Sequence, residues 1–372
     1  MTLHRLTITL AVVLLSLLAS TSFGADLTNN IFSATSGDWN TAANWDQDRA
    51  PTTTDDAYLR NGADVNINAA AGTVANVRVM DATLVLKEGG SITVPKSIMI
   101  GYGQAGTLNI EGGTGTIDRI DVGESTISAG GTSVMNVSGG KLQLGMLILN
   151  YHGNGEVNQT GGTISTRSNV YFNINANDFA GVYNLSGGTL EAYVIAFRYK
   201  AQSGTSGLNV TNNGVLRVSN IMYEANYKDD SPTFELNGGT LEPAAISKTK
   251  VEEVGLLSIS HPAKGKCNFV VKSPKARLLM QIAGATKFDQ ISVNDTFEAG
   301  GILEIALLGY EPKVGDSFKL FTAGTYKGSF AEFKLPALKS GRWNTSAVAN
   351  KGVVTVVADQ ASQPASAPSQ SK

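Results

Sequence analysis

A short phrase recurs down the middle of this chain: an apolar-alternating run, a small polar residue, Gly-Gly, a hydroxyl or lysine, then a second apolar run. It reads Leu-Lys-Glu-Gly-Gly-Ser-Ile from Leu86 to Ile92, Val-Ser-Gly-Gly-Lys-Leu from Val137 to Leu142, and Leu-Ser-Gly-Gly-Thr-Leu from Leu185 to Leu190. The first glycines of the pairs are Gly89, Gly112, Gly139, Gly161, Gly187 and Gly238. Asn213 fills the gap in a worn copy, so the period is about 22 to 27 residues. A fixed period of this length signals stacked repeats. Each period holds three short runs in which Val, Ile and Leu alternate with Asn, Thr and Ser, the mark of half-buried strands. The glycine pair supplies the positive φ that lets the chain corner between them. Three strands and three corners make one coil of an all-β parallel β-helix, and the repeats count out about six to seven coils.

The ends divide the chain. A single basic residue, Arg5, precedes an apolar stretch from Leu6 to Leu18 and small residues at Ser22, Gly24 and Ala25. That order is a secretory signal peptide over 1–25. Its apolar run is shorter than the roughly 20 residues a membrane span needs, so no transmembrane segment is expected after its removal. Residues 26–65 carry Trp39 and Trp45, which suit a cap over the open end of a stack; the alternative is an exposed aromatic platform for sugar rings. The repeats occupy 66–243. A β-rich unit of alternating strands follows over 244–358 and is expected to continue the stack and close it. The Ser/Ala/Gln/Pro string at 359–372 cannot form a core and reads as a disordered tail.

Composition closes off several classes of function. Cys267 is the only cysteine, so neither intramolecular disulfides nor cysteine-based zinc sites are available. A net charge of −2 with 16% charged residues gives no basic cluster for nucleic acid. No Gly-x-Ser-x-Gly, P-loop or His-Glu-x-x-His motif is present. The oligomeric state is left open.

The Asp-Trp and Ala-Asn-Trp opening (Trp39, Trp45) and the Asn-Leu-Ser-Gly-Gly-Thr-Leu rung at 184–190 carry a resemblance. So does the ending, with Phe-Asp-Gln-Ile-Ser-Val at 288–293 and Gly-Asp-Ser-Phe-Lys-Leu-Phe at 315–321. Together they resemble secreted Gly-Gly-Thr repeat proteins related to autotransporter passenger domains and planctomycete-type bacterial surface β-helix proteins. The resemblance implies a right-handed parallel β-helix at the cell surface or outside the cell. An autotransporter passenger is followed by an outer-membrane barrel of many ~10-residue strands. Neither that pattern nor a sorting tail is visible here, so the expected location is secreted or cell-surface, with the periplasm as the other compartment.

Chemistry is expected where the third strands end. In four successive coils they run into Asn150-Tyr151-His152, Asn173-Ile174-Asn175, Arg198-Tyr199-Lys200 and Glu224-Ala225-Asn226-Tyr227. Stacked in register these form a polar-aromatic patch roughly 15 Å long at about 4.8 Å per coil. As a carbohydrate groove, Tyr151, Tyr199 and Tyr227 would stack on sugar faces while Asn173, Asn175, Arg198 and Glu224 supply polar contacts. The fold also resembles that of polysaccharide lyases. For a lyase acting on an acidic polysaccharide, a cation would neutralise the carboxylate, and His152, Tyr199 and Lys200 are the candidates to move the C5 proton. The bland alternative is a row of polar corner loops edged by tyrosines. No cofactor is expected: calcium would need a spaced ligand set, and Asp121, Glu124, Asp178, Asp229 and Asp230 read instead as solvated turn acids. The partner expected is extracellular polysaccharide, and the role structural or adhesive.

Overall fold

The Gly-Gly corners share one steric problem, and the Gly187-Gly188 copy shows how most of them solve it; at Gly89-Gly90 the two roles are exchanged. A Cβ on Gly187 would sit 2.2 Å from the carbonyl oxygen of Thr160 in the preceding coil, and Gly188 holds φ at 71°. The first glycine permits close approach of two backbones and the second takes a left-handed conformation costly to other residues. In the worn copy the left-handed residue is Asn212 at φ 48°, a residue type that tolerates it.

The computed structural model describes residues 27–124, 131–175, 179–199, 207–224, 226, 227, 229, 231–247, 250–263 and 265–359. The signal segment, Lys200, Asp178, Asp230 and all but the first residue of the tail lie outside them. The described chain is a parallel β-solenoid of about 11 turns. Its strands fall into three stacks. The first includes Asp64–Ile67, Thr83–Leu86, Thr107–Ile110 and Thr132–Val137. The second follows each Gly-Gly corner, as in Lys141–Leu144 on Thr163–Thr166. The third runs from Thr28–Ile31 and Asp55–Leu59 up to Asn220–Met222 on Ser258–Ser260 and beyond.

In-register stacking sends like side chains into files. Inside the third stack the file runs Leu59, Val79, Ile100, Val122, Leu149, then turns aromatic at Phe172, Phe197 and Tyr223. All eight are buried. Phe172 stacks on Phe197 at 4.8 Å and Phe197 on Tyr223 at 4.9 Å, offset contacts that add to the burial of the rings. One polar pair inside the core is bonded throughout: the Tyr183 hydroxyl donates to Gln159 Oε1, and Gln159 Nε2 donates in turn to the carbonyls of Gly161 and Thr189.

The turn count exceeds the six to seven coils read from the repeats because coils at both ends lack the intact glycine signature. Parallel pairing begins with Thr28–Ile31, and it continues across Pro243 through Arg277–Ile282, Ile302–Leu307 and Glu332–Lys334. Trp39 and Trp45 are both fully buried, edge-on at 4.9 Å, with Phe32 packed on Trp45. They fill the first coils rather than offering a platform to solvent. At the other end Ser317–Lys319, Arg342–Asn344 and Val353–Val357 form an antiparallel sheet. Phe318, Val354 and Val356 are buried there, closing the stack.

Candidate functional site

Register decides what the third-stack corner can offer. Leu149, Phe172, Phe197 and Tyr223 are direct partners, so Asn150, Asn173, Arg198 and Glu224 form one file. Groups in such a file sit about 4.8 Å apart and satisfy each other first. Asn150 and Asn173 both take left-handed conformations (φ 67° and 53°) and are 0% and 2% exposed. Asn150 donates to Asn173 Oδ1 at 2.9 Å, and Asn173 Nδ2 to the Tyr199 carbonyl at 3.1 Å. Asn173 is therefore a corner ladder residue, buried beneath the face. Asn175 likewise donates to the Tyr151 carbonyl at 2.7 Å. Arg198 Nε lies 3.6 Å from Glu224 Oε2, so the guanidinium already has a carboxylate beside it.

What remains at this corner is largely aromatic. Tyr151, Tyr199 and Tyr227 are half-buried, and burial pushes the Tyr227 phenol up. Tyr227 packs edge-on against Tyr223 at 4.9 Å, and its carbonyl lies 3.2 Å from Nε2 of the buried His261. Tyr199 sits two coils on from Tyr151 and one before Tyr227, and Lys200 is outside the described residues.

His152 belongs to a second grouping, one that sequence reasoning missed. On the outer side of the third stack, Arg119 Nε bonds both oxygens of Asp121, at 2.7 and 2.8 Å. Asp121 is fully buried, and desolvation pushes its carboxyl up against the opposing pull of Arg119. Glu124, 9% exposed, is pushed up to about 7, first by burial and then by the Asp121 charge. His152 Nδ1 stands 3.9 Å from Glu124 Oε1. Neither Nδ1 nor Glu124 Oε2 has a hydrogen-bond partner among the described residues. The Arg119 guanidinium lies 5.4 Å from the centre of the Tyr151 ring. Toward the N-terminus the same face carries an Arg78–Asp56 ion pair at 3.0 Å, with Arg78 over the Tyr102 ring at 4.3 Å. Asp121, bonded to Arg119, and Glu124 are thus buried rather than solvated turn acids. The signal available was the Arg-x-Asp-x-x-Glu spacing from Arg119 to Glu124 at the end of a third strand.

No group of three or more His, Cys, Asp or Glu side chains is placed to hold a metal ion among the described residues. No helix among them is long and apolar enough to cross a membrane. No protein-family model matches the chain, and no curated protein matches it.

Proposed function

We propose that this is an exported structural or adhesive β-helix protein that contacts extracellular polysaccharide through the corner where the third strands end. The observation that supports the reading is the composition of that corner. Asn150 and Asn173 in its polar file are buried and bonded to neighbouring coils and Arg198 stands beside Glu224, while the half-buried rings of Tyr151, Tyr199 and Tyr227 supply its aromatic surface. Aromatic faces with polar edges suit the C–H faces and hydroxyls of sugars. With Arg198 beside Glu224, recognition by stacking is favoured over recognition of charge.

One observation favours a catalytic reading. Glu124, titrating near neutrality, sits beside His152 and the Arg119–Asp121 pair, the kind of environment that general acid–base chemistry uses. In a lyase acting on acidic polysaccharide His152 would take the C5 proton as the C4–O bond breaks, leaving a C4=C5 double bond and a leaving oxygen protonated by water, with Arg119, held by Asp121, as the cation of this grouping. Tyr199 and Lys200 are the other proton-transfer candidates of that chemistry.

A single preparation tests both. The mature chain is incubated with a panel of uronic-acid and neutral polysaccharides, followed by ultraviolet absorbance for unsaturated products and by co-sedimentation for binding. Co-sedimentation without absorbance change is the expected result. A rise in absorbance that His152→Ala abolishes without unfolding makes the protein a lyase. Neither signal removes polysaccharide from the reading and leaves a structural protein.

A further inference from the structure

The first strand stack is interrupted at one place among the described residues. Its ladder reaches Gly207–Val210, and Thr233–Leu236 begins a separate sheet with Asn268–Val271, Thr296–Ala299 and Thr325–Gly328. The other two stacks stay paired at this level, Val215–Val218 on Thr240–Pro243 and Asn220–Met222 on Ser258–Ser260. The coils therefore part on one side only. A cleft of about 180 Å³ opens there, lined among others by Asn209, Tyr223, Tyr227, Glu235 and Asn237.

The hydrogen-bonding chemistry across the break is one-sided. Along the outer side of the first stack, Asn136, Asn158, Asn184 and Asn209 each donate Nδ2 to the Oδ1 of the asparagine one coil earlier, starting from Asn109. Each Oδ1 is thus filled by the next coil, until Asn209. The alternation of Gly207–Val210 against Thr233–Leu236 puts Glu235 at the matching place, and a carboxylate has no N–H to give. Lys272 holds Glu235 Oε2 at 2.8 Å from the following coil. Two acceptors thus line the cleft with no hydrogen-bonded donor between them among the described residues. Beside them stand the ring of Tyr227 and the exposed carboxamide of Asn237.

We infer that this break seats one ring of a neutral, hydroxyl-rich glycan. Sugar hydroxyls donate to Asn209 Oδ1 and to the Glu235 carboxylate, the Asn237 amide both donates and accepts, and the ring's C–H face lies on Tyr227. An anionic uronate is disfavoured, because its carboxylate would meet Glu235 across a site that supplies acceptors. The inference rests on the polysaccharide reading above and narrows it to one subsite and one class of sugar.

The test is isothermal titration of the full mature chain with cellohexaose, xylohexaose, mannohexaose and hexagalacturonate. Tyr227→Ala and Asn237→Ala are the cleft variants, and Tyr193→Ala, an exposed ring on a different corner, is the control. The expected result is binding of a neutral hexasaccharide, weakened about tenfold or more by either cleft variant and unchanged by Tyr193→Ala. Asn237 is exposed, so its variant tests the cleft even where removal of the Tyr227 ring disturbs packing. Neutral binding undiminished in both cleft variants overturns the subsite and leaves the polysaccharide reading standing, as does binding of hexagalacturonate alone. Binding of none of the four overturns both.

Discussion

At Gly188 a Cβ would lie 2.4 Å from the carbonyl oxygens of both Gly161 and Gly162, on a residue whose φ is 71°. Gly188→Ala is expected to cost about 1–3 kcal/mol from backbone conformation alone, with the clash in addition, as read from urea unfolding. Glu124 makes a prediction of the opposite kind, about pH. Its carboxyl ordinarily ionises near 4.5 but in the fold keeps its proton to about 7. Between those values the unfolded chain binds fewer protons than the folded one, so stability falls as pH rises through that window and levels off above it. Asp121, Asp289 and Glu242, also pushed up by burial, contribute slopes of the same sign. Glu124→Gln should therefore lose less stability than the parent between pH 5 and pH 8, measured by unfolding midpoints; an unchanged slope would show that Glu124 ionises normally. The corner glycines were legible from sequence because their steric demand is local. The state of Glu124 was not, because it depends on what the neighbouring coils bury.

Strands and corners were legible as elements, since the alternation of apolar and small polar residues in a run such as Thr107 to Ile110 is itself the pattern of a half-buried strand. What the aligned side chains do to one another was not. The corner residues Asn150, Asn173, Arg198 and Glu224 line up from coil to coil as the repeat implies, but Asn173 is buried and accepts from Asn150, and Arg198 stands beside Glu224. Spacing aligns the corners without saying which side chains turn inward or bond to the next coil. Register and packing between stacks together build the aromatic core of the later coils. Phe297 stands in register on Phe269 at 5.5 Å and packs against Phe321 of a neighbouring stack at 4.7 Å, with Phe330 at 6.3 Å. Phe297→Ala is expected to destabilise the protein by about 3–5 kcal/mol, measured by chemical denaturation. A loss below about 1 kcal/mol would mean that the aromatic file is not a cooperative part of the core.

Across the whole molecule, parallel ladders join coils on either side of Pro243, and the stack is filled at one end by Trp39 and Trp45 and closed at the other by an antiparallel sheet. The repeats announced the solenoid but undercounted it, because the N-terminal coils and those beyond Pro243 satisfy the same geometry without the full glycine phrase. A solenoid of this kind presents long files of side chains at fixed spacing, and the tyrosine corner is the file proposed to meet polysaccharide. The most direct test is retention of the mature chain on a glycan array, comparing the parent with a Tyr151→Ala, Tyr199→Ala double variant whose thermal midpoint matches it. The predicted result is retention of the parent on polysaccharide and its loss in the double variant. Equal retention of the two proteins, or none by the parent, would contradict a role for this corner.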